Sequence, residues 1–163
     1  MEIIKSFFVL LFVFTTISAA YSQSTPKIIT GKFNLDTWIK ECDWKIDPQS
    51  SYTPSDSVIN LLKPIVKEQK LGFTIFAGNW CKDCKSELPK IMSIANALGI
   101  SSADIVVYGL DKDFYEPSFA AKRMQITKVP TLIITYQGEE LSRIEEFPQK
   151  GSTWELDILR IFQ

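Results

Sequence analysis

The cysteine pair within residues 80–84 (WCKDC) constrains this chain more than any other feature. It follows the apolar run 71–77, which predicts a buried strand, and precedes a segment that predicts a helix through about Leu98. Residues i and i+3 share a helix face, so the two sulfur atoms are expected within reach of a disulfide bond. The helix N-terminus also offers free N–H groups and partial positive charge, which favour a thiolate. We therefore predict Cys81 as an exposed nucleophile and Cys84 as its shielded partner.

Two prolines fall where a dithiol site would use them. Pro89 lies five residues after Cys84, inside the predicted helix, where a proline removes a backbone hydrogen bond and bends the axis. Pro130 follows Val129 and directly precedes the β-rich run 131–136. An X-Pro bond at the start of a strand is a place where a cis peptide can form, and Pro130 leaves no N–H group to be satisfied beside a reactive sulfur.

These motifs together resemble the thioredoxin superfamily, whose members share W-C-x-x-C, a lysine after the second cysteine, a kinking proline five residues on and a cis-proline loop facing the site. The resemblance covers roughly residues 55–162. It implies an α/β, thioredoxin-like fold with a central mixed β-sheet flanked by helices, and it implies no metal or organic cofactor. Its catalytic residues would be Cys81, which attacks, and Cys84, which resolves. Its substrate-binding residues would be Trp80, Val129 and Pro130.

One family feature is absent from this chain. Thioredoxins carry a buried aspartate six positions before the first cysteine, and that position is Ile75 here. The family's lysine near that aspartate corresponds to Gly109. The resemblance therefore leaves the second thiol without its usual proton acceptor, and we consider Asp111 and Asp113 as the residues that could transfer the proton instead.

Composition indicates one small globular domain and limits the classes of partner. The chain has 163 residues, of which 45% are hydrophobic, enough to bury a core. Its net charge of −1 gives no basic footprint for nucleic acid. We expect the partners to be protein disulfides or dithiols and an upstream redox protein, and we expect a monomer.

The N-terminus predicts an exported protein. Lys5 precedes the apolar stretch 7–17, and small residues follow at a cleavage site, so residues 1–22 are expected to be a signal peptide. Residues 23–54 would then form an N-terminal extension and residues 55–163 the thioredoxin-like domain. A bacterial periplasm is the favoured compartment, with no stable membrane anchor after cleavage. The alternative is a protein tethered to the membrane by an uncleaved signal segment.

Hydrophobic periodicity predicts the remaining elements. The helix at 55–69 should face inward with Val58, Leu61, Leu62 and Ile65. Strands are expected at 28–33 and 104–110 and an antiparallel hairpin at 131–136 and 140–146, with helices at 34–43, 117–125 and 152–162.

Other uses of the cysteines remain to be weighed. A zinc site needs four ligands, and the chain has no histidine and only one further cysteine, Cys42. A purely structural Cys81–Cys84 disulfide would close too short a loop to stabilise the fold much. Cys42 itself is expected to be a free thiol, with a regulatory role as the alternative.

The sequence thus predicts an exported thiol-disulfide oxidoreductase that reduces protein disulfides. The same exchange run in the other direction would make it an oxidase or isomerase. A third hypothesis is a non-catalytic binding or chaperone module, in which the fold presents Trp80 and Pro130 to peptides.

Overall fold

The computed structural model describes residues 27–44 and 52–163. The predicted signal peptide lies outside the described residues. Within these ranges the chain forms five strands and five α-helices. The strands are β1 (Gly31–Asn34), β2 (Gly72–Ala77), β3 (Val106–Gly109), β4 (Thr131–Tyr136) and β5 (Glu139–Glu145). The helices are α1 (Leu35–Glu41), α2 (Asp56–Gln69), α3 (Lys82–Leu98), α4 (Ala120–Arg123) and α5 (Trp154–Arg160), and a 3₁₀ helix covers Ser102–Asp104.

The strands form one mixed sheet in the order β1-β3-β2-β4-β5. The central strands β2 and β3 are parallel, with α3 as the connection between them, and every other pair is antiparallel. Because β2 lies in the middle of the sheet, its apolar residues are covered on both faces, and Ile75, Phe76 and Ala77 are fully buried. The predicted mixed sheet flanked by helices is confirmed, and β2 ends directly before the cysteine turn.

Helix α2 packs against α3 and α5. Its boundaries agree with the prediction, but the predicted inward face is partly wrong. The buried residues are Ile59, Leu62 and Val66, whereas Leu61 is 58% exposed. The apolar residues of this helix form two neighbouring stripes at helical spacing, and packing against α3 and α5 selects the stripe that the periodicity alone does not.

Residues of the predicted N-terminal extension take part in the same sheet and core. Strand β1 pairs with β3, and Asn34 caps α1 by accepting the backbone N–H of Thr37 at 2.8 Å. From α1, the fully buried Trp38 lies over Gly109, where an added Cβ would come within 2.6 Å of the indole Nε1. The boundary drawn at residue 55 stays a prediction, but the sheet itself begins at Gly31.

Several predicted elements are shifted or shortened. The strand expected at 104–110 is found at Val106–Gly109, and the helices expected at 34–43 and 152–162 are found at Leu35–Glu41 and Trp154–Arg160. The strand expected at 28–33 is found at Gly31–Asn34, and the helix expected at 117–125 is reduced to α4. Phe119 adopts a positive φ of 57° directly before α4, and Gln125 adopts one of 54° after it, so neither continues a right-handed helix. The hairpin of β4 and β5 joined through residues 137–138 is confirmed, as is the closing helix α5.

No helix in residues 27–44 or 52–163 is long and apolar enough to cross a membrane.

Candidate active site

The two cysteines lie at the N-terminus of α3, as the sequence predicts. Cys81 is the N-cap residue, and its Sγ accepts the backbone N–H of Cys84 at 3.0 Å. A sulfur in this position takes one of the donors that a helix leaves unpaired in its first turn, and the helix dipole favours its negative charge. The expectation of an exposed Cys81 is wrong. Its residue exposure is 8%, against 0% for Cys84, so Cys81 is buried and merely the more accessible of the two.

The surroundings of the two thiols shift their pKa values in opposite directions. Hydrogen bonding from the Cys84 thiol, aided by the backbone N–H groups of Cys84 and Asp83, outweighs burial and lowers the pKa of Cys81 from 9.0 to about 7. The pKa of Cys84 shifts in the opposite direction. Burial first, and then the hydrogen bond to Cys81, raise the pKa of Cys84 far above its ordinary value. The exposed carboxylate of Asp83 opposes ionisation of both thiols. One thiol is therefore ready to ionise near neutral pH while its neighbour holds its proton.

The loop before β4 covers Cys81. The Cys81 thiol donates to the carbonyl oxygen of Val129 at 3.5 Å, and the Val129-Pro130 peptide bond is cis. Pro130 is buried, and its own carbonyl accepts the N–H of Glu146 at 2.7 Å. This carbonyl is thus held by the segment after β5. The structure therefore brings Cys81, Val129 and Pro130 together, and the contact with Val129 helps to explain the low exposure of Cys81.

Trp80 lies half-buried on the turn that leads to Cys81. Its Nε1 donates to the carbonyl oxygen of Leu110 at 2.8 Å, and its ring meets Phe114 edge-on with centroids 6.5 Å apart. Gly78 makes this position available, because a Cβ there would come within 2.5 Å of the indole. Phe114 was not anticipated from the sequence, since no spacing links it to the cysteines.

The candidate proton-transfer residues Asp111 and Asp113 lie in the loop that follows β3. The carboxylate of Asp111 accepts the backbone N–H groups of Asp113 and Tyr115, each at 2.9 Å, and Asp113 is exposed. Ile75 is fully buried and pairs in register with Val107 and Leu132, so the position of the family aspartate is apolar on both sides. A proton-transfer role for Asp111 or Asp113 stays a prediction.

Asn79 is a second side chain near the site, after Phe114, that no sequence pattern indicated. Asn79, beside Trp80, accepts the N–H of Ile29 at 3.1 Å and donates to the carbonyl of Lys27 at 2.7 Å. The Asn79 side-chain amide thus pairs with both a donor and an acceptor of the backbone of residues 27–29. The turn before the cysteines is fastened to the start of the described chain.

The remaining cysteine differs from the pair in its surroundings. Cys42 is free and half-buried, and burial together with Glu41 raises its pKa to about 12. Such a thiol is a weak nucleophile at neutral pH. Among residues 27–44 and 52–163, no group of three or more histidine, cysteine, aspartate or glutamate side chains is placed to hold a metal ion.

A mixed sheet with a C-x-x-C pair at the start of the helix after its central strand defines a thioredoxin-like protein. The family model described as Thioredoxin matches residues 59–154. The chain is 30% identical over 83 residues to a thioredoxin of Echinococcus granulosus, covering 51% of this chain and 72% of that protein. It is 33% identical over 75 residues to thioredoxin-2 of Saccharomyces cerevisiae, covering 46% and 66%. The solved Fasciola hepatica thioredoxin is 23% identical, with a TM-score of 0.37 over 52% of this chain and 77% of that one.

The chain belongs to the thioredoxin family. The match supports a redox function of the thioredoxin kind for it.

Proposed function

We propose that this protein is an exported thiol-disulfide oxidoreductase that reduces protein disulfides, with Cys81 as the nucleophile and Cys84 as the resolving thiol. One observation carries the assignment of roles. The pKa of Cys81 is lowered to about 7, whereas burial raises that of Cys84. At neutral pH a large share of Cys81 is then thiolate, which is the form that attacks a disulfide.

The exchange proceeds in two balanced steps. The Cys81 thiolate attacks one sulfur of a substrate disulfide, a Cys81–substrate disulfide forms, and the other substrate sulfur leaves as a thiolate that takes up a proton. Cys84 then loses its proton and attacks Cys81 Sγ, which releases the second substrate thiol and leaves a Cys81–Cys84 disulfide. Two electrons pass from the protein to the substrate. An upstream dithiol protein would return them.

Trapping the intermediate tests the roles. Cys84→Ser removes the thiol that would carry out the second step, so this variant should accumulate disulfide-linked complexes with substrate proteins on non-reducing gels. Cys81→Ser should accumulate none, and wild type should reduce insulin disulfides when a reductant is supplied. Equal trapping by the two variants would contradict the assignment.

Export is a separate part of the proposal, supported by the apolar stretch 7–17 and the small residues after it. N-terminal sequencing of the protein recovered from its producing cells should find the chain beginning near residue 23. A recovered chain that keeps residues 1–22 and fractionates with membranes would favour the tethered alternative.

A further inference from the structure

The loop between β3 and α4, together with Lys122 and Ile126, lines an open surface cavity of about 290 Å³. Two of its lining residues are exposed aromatic side chains: Tyr115 and Phe119 are 46% and 52% exposed, and their rings meet edge-on with centroids 5.5 Å apart. The apolar residues that line it are Phe114, Tyr115, Phe119 and Ile126. The two exposed rings thus form an apolar surface at the cavity.

The loop is held in this shape by its own carboxylates. Asp111 accepts two backbone N–H groups, and the buried Glu116 accepts the backbone N–H groups of Ser118 and Ala121 together with the Ser118 hydroxyl. Phe114 and Phe119 have φ values of 60° and 57°, which bulky residues adopt rarely. The rings are therefore displayed by a fixed backbone, and little ordering is needed when a partner binds.

One aromatic contact links the cavity to the dithiol site. Phe114, one of its walls, meets the ring of Trp80 edge-on, and Trp80 immediately precedes Cys81. Trp80 is also hydrogen-bonded to Leu110, the residue that opens the same loop. A polypeptide whose disulfide lies at Cys81 would thus have neighbouring residues within reach of the cavity.

We propose that this cavity is a recognition pocket for a large apolar side chain of the polypeptide that carries the substrate disulfide. The proposal rests on the proposed function and gives it a substrate preference. The volume of about 290 Å³ lies just below the range of roughly 300–1,000 Å³ for small-molecule sites, which suits one or two side chains. The charged lining residues are Asp113, Glu116 and Lys122, and the Glu116 carboxylate is already bonded within the loop, so apolar contact and not charge selects the occupant.

Two variants test the pocket. Asparagine tolerates a positive φ and is a good helix N-cap, so Phe119→Asn should remove the ring and keep the loop. Tyr115→Asn removes the second exposed ring. Leu61→Asn is the matched control, since Leu61 is similarly exposed on α2 and does not line the cavity.

The substrates are chosen to separate recognition from chemistry. Two symmetrical peptide dimers, each joined by one disulfide, carry either leucine or serine at the third and fourth residues on both sides of the cysteine. The small disulfide 2-hydroxyethyl disulfide offers no side chain at all. With the leucine dimer, Phe119→Asn and Tyr115→Asn should each lower kcat/KM about tenfold, mainly through KM. Rates with the serine dimer and the small disulfide should not change, and Leu61→Asn should match wild type throughout.

If Phe119→Asn and Tyr115→Asn reduce the leucine dimer at the wild-type rate, the proposed recognition pocket is wrong. An equal loss on all three substrates would also contradict it, because that loss would mean damage to the dithiol site. A loss in Leu61→Asn of the same size would overturn it too. Failure of the proposed function looks different, because wild type would then fail to reduce even 2-hydroxyethyl disulfide.

Discussion

Cys84 influences Cys81 through two separate groups, its thiol and its backbone N–H. The backbone donor belongs to the helix and survives any substitution, whereas the thiol donor depends on the side chain. Hydrogen bonding from that thiol is the largest cause of the lowered pKa of Cys81. The acidity of the nucleophile Cys81 is thus set chiefly by Cys84, the residue that would later attack Cys81 Sγ and release the substrate.

A pair of substitutions measures this dependence. Cys84→Ala removes the thiol donor, so the pKa of Cys81 should rise from about 7 toward 9.0. Cys84→Ser keeps a hydroxyl donor and should leave it closer to the wild-type value. The pH dependence of the rate of alkylation by iodoacetamide gives each pKa directly. A midpoint near 7 in the alanine variant would show that the helix N-terminus alone sets the acidity.

Ile75 shows what replaces the family aspartate. Its neighbours Val107 and Leu132 are fully buried, so the sheet beneath the site offers a new carboxyl no charged partner. An aspartate placed there would have its pKa raised by burial, because the charged form is the one that loses hydration. The apolar residue therefore serves the core, and proton transfer from Cys84 must use another route.

Ile75→Asp should accordingly destabilise the fold in a pH-dependent way. A carboxyl whose folded pKa is raised contributes best when protonated, so the loss should grow as pH rises from 5 to 8 and reach roughly 3 kcal/mol. The control Ile75→Asn has the same shape without a titrating group, and its loss should be equal at both pH values. Urea unfolding supplies the comparison. Parallel behaviour of the two variants would contradict a raised pKa.

Among the elements, those with strong local patterns were predicted well. The apolar run of β2, the helix after the cysteines and the hairpin of β4 and β5 were all confirmed. The errors arise where tertiary packing decides. In α2 the sequence offers two apolar stripes, and around α4 two non-glycine residues with positive φ stop a helix that composition favours. Neither choice is visible in local sequence.

A substitution at the contact between β3 and α1 can test whether the N-terminal elements pack as part of the fold. A Cβ at Gly109 would lie 2.6 Å from Trp38 Nε1 and 2.7 Å from the backbone oxygen of Ile29, and backbone cannot rotate away. Gly109→Ala should therefore cost about 2 kcal/mol of unfolding free energy. At Gly72, by contrast, an added Cβ meets the side-chain oxygen of Thr135, which can turn aside, so Gly72→Ala should cost less than about 1 kcal/mol. Equal losses in thermal or urea unfolding would argue that residues 27–44 pack loosely.

For the molecule as a whole, the cysteine motif and Pro130 sufficed to predict the fold, and the structure brings Cys81, Val129 and Pro130 together. The sequence did not predict the contacts between residues that lie far apart in the chain. The burial of Cys81 under Val129, the contact of Trp80 with Phe114 and the anchoring of Asn79 to Lys27 each join residues at least thirty positions apart. Such contacts have no periodicity or spacing, and they appear only once the sheet is assembled.

The acidity of Cys81 also has a consequence for the stability of the whole reduced protein. A thiol whose folded pKa of about 7 lies below its ordinary value of 9.0 releases its proton earlier in the folded state, so the unfolded state binds more protons between these values. Stability must therefore rise with pH from 7 to 9. The raised pKa values of Cys84 and Cys42 act with the opposite sign, but only above about 9, where these thiols would ionise in the unfolded chain.

Cys81→Ser isolates this contribution, because serine keeps an N-cap acceptor and does not titrate. With a phosphine reductant present, the difference in unfolding free energy between wild type and Cys81→Ser should shift in favour of wild type by on the order of 2 kcal/mol between pH 7 and pH 9. Below about pH 6 the difference should be constant, since the Cys81 thiol is then protonated in both states. Urea unfolding at one-unit pH steps measures it. A difference that stays constant from pH 6 to pH 9 would mean that Cys81 has an ordinary pKa, and the assignment of Cys81 as the attacking thiolate would lose its physical basis.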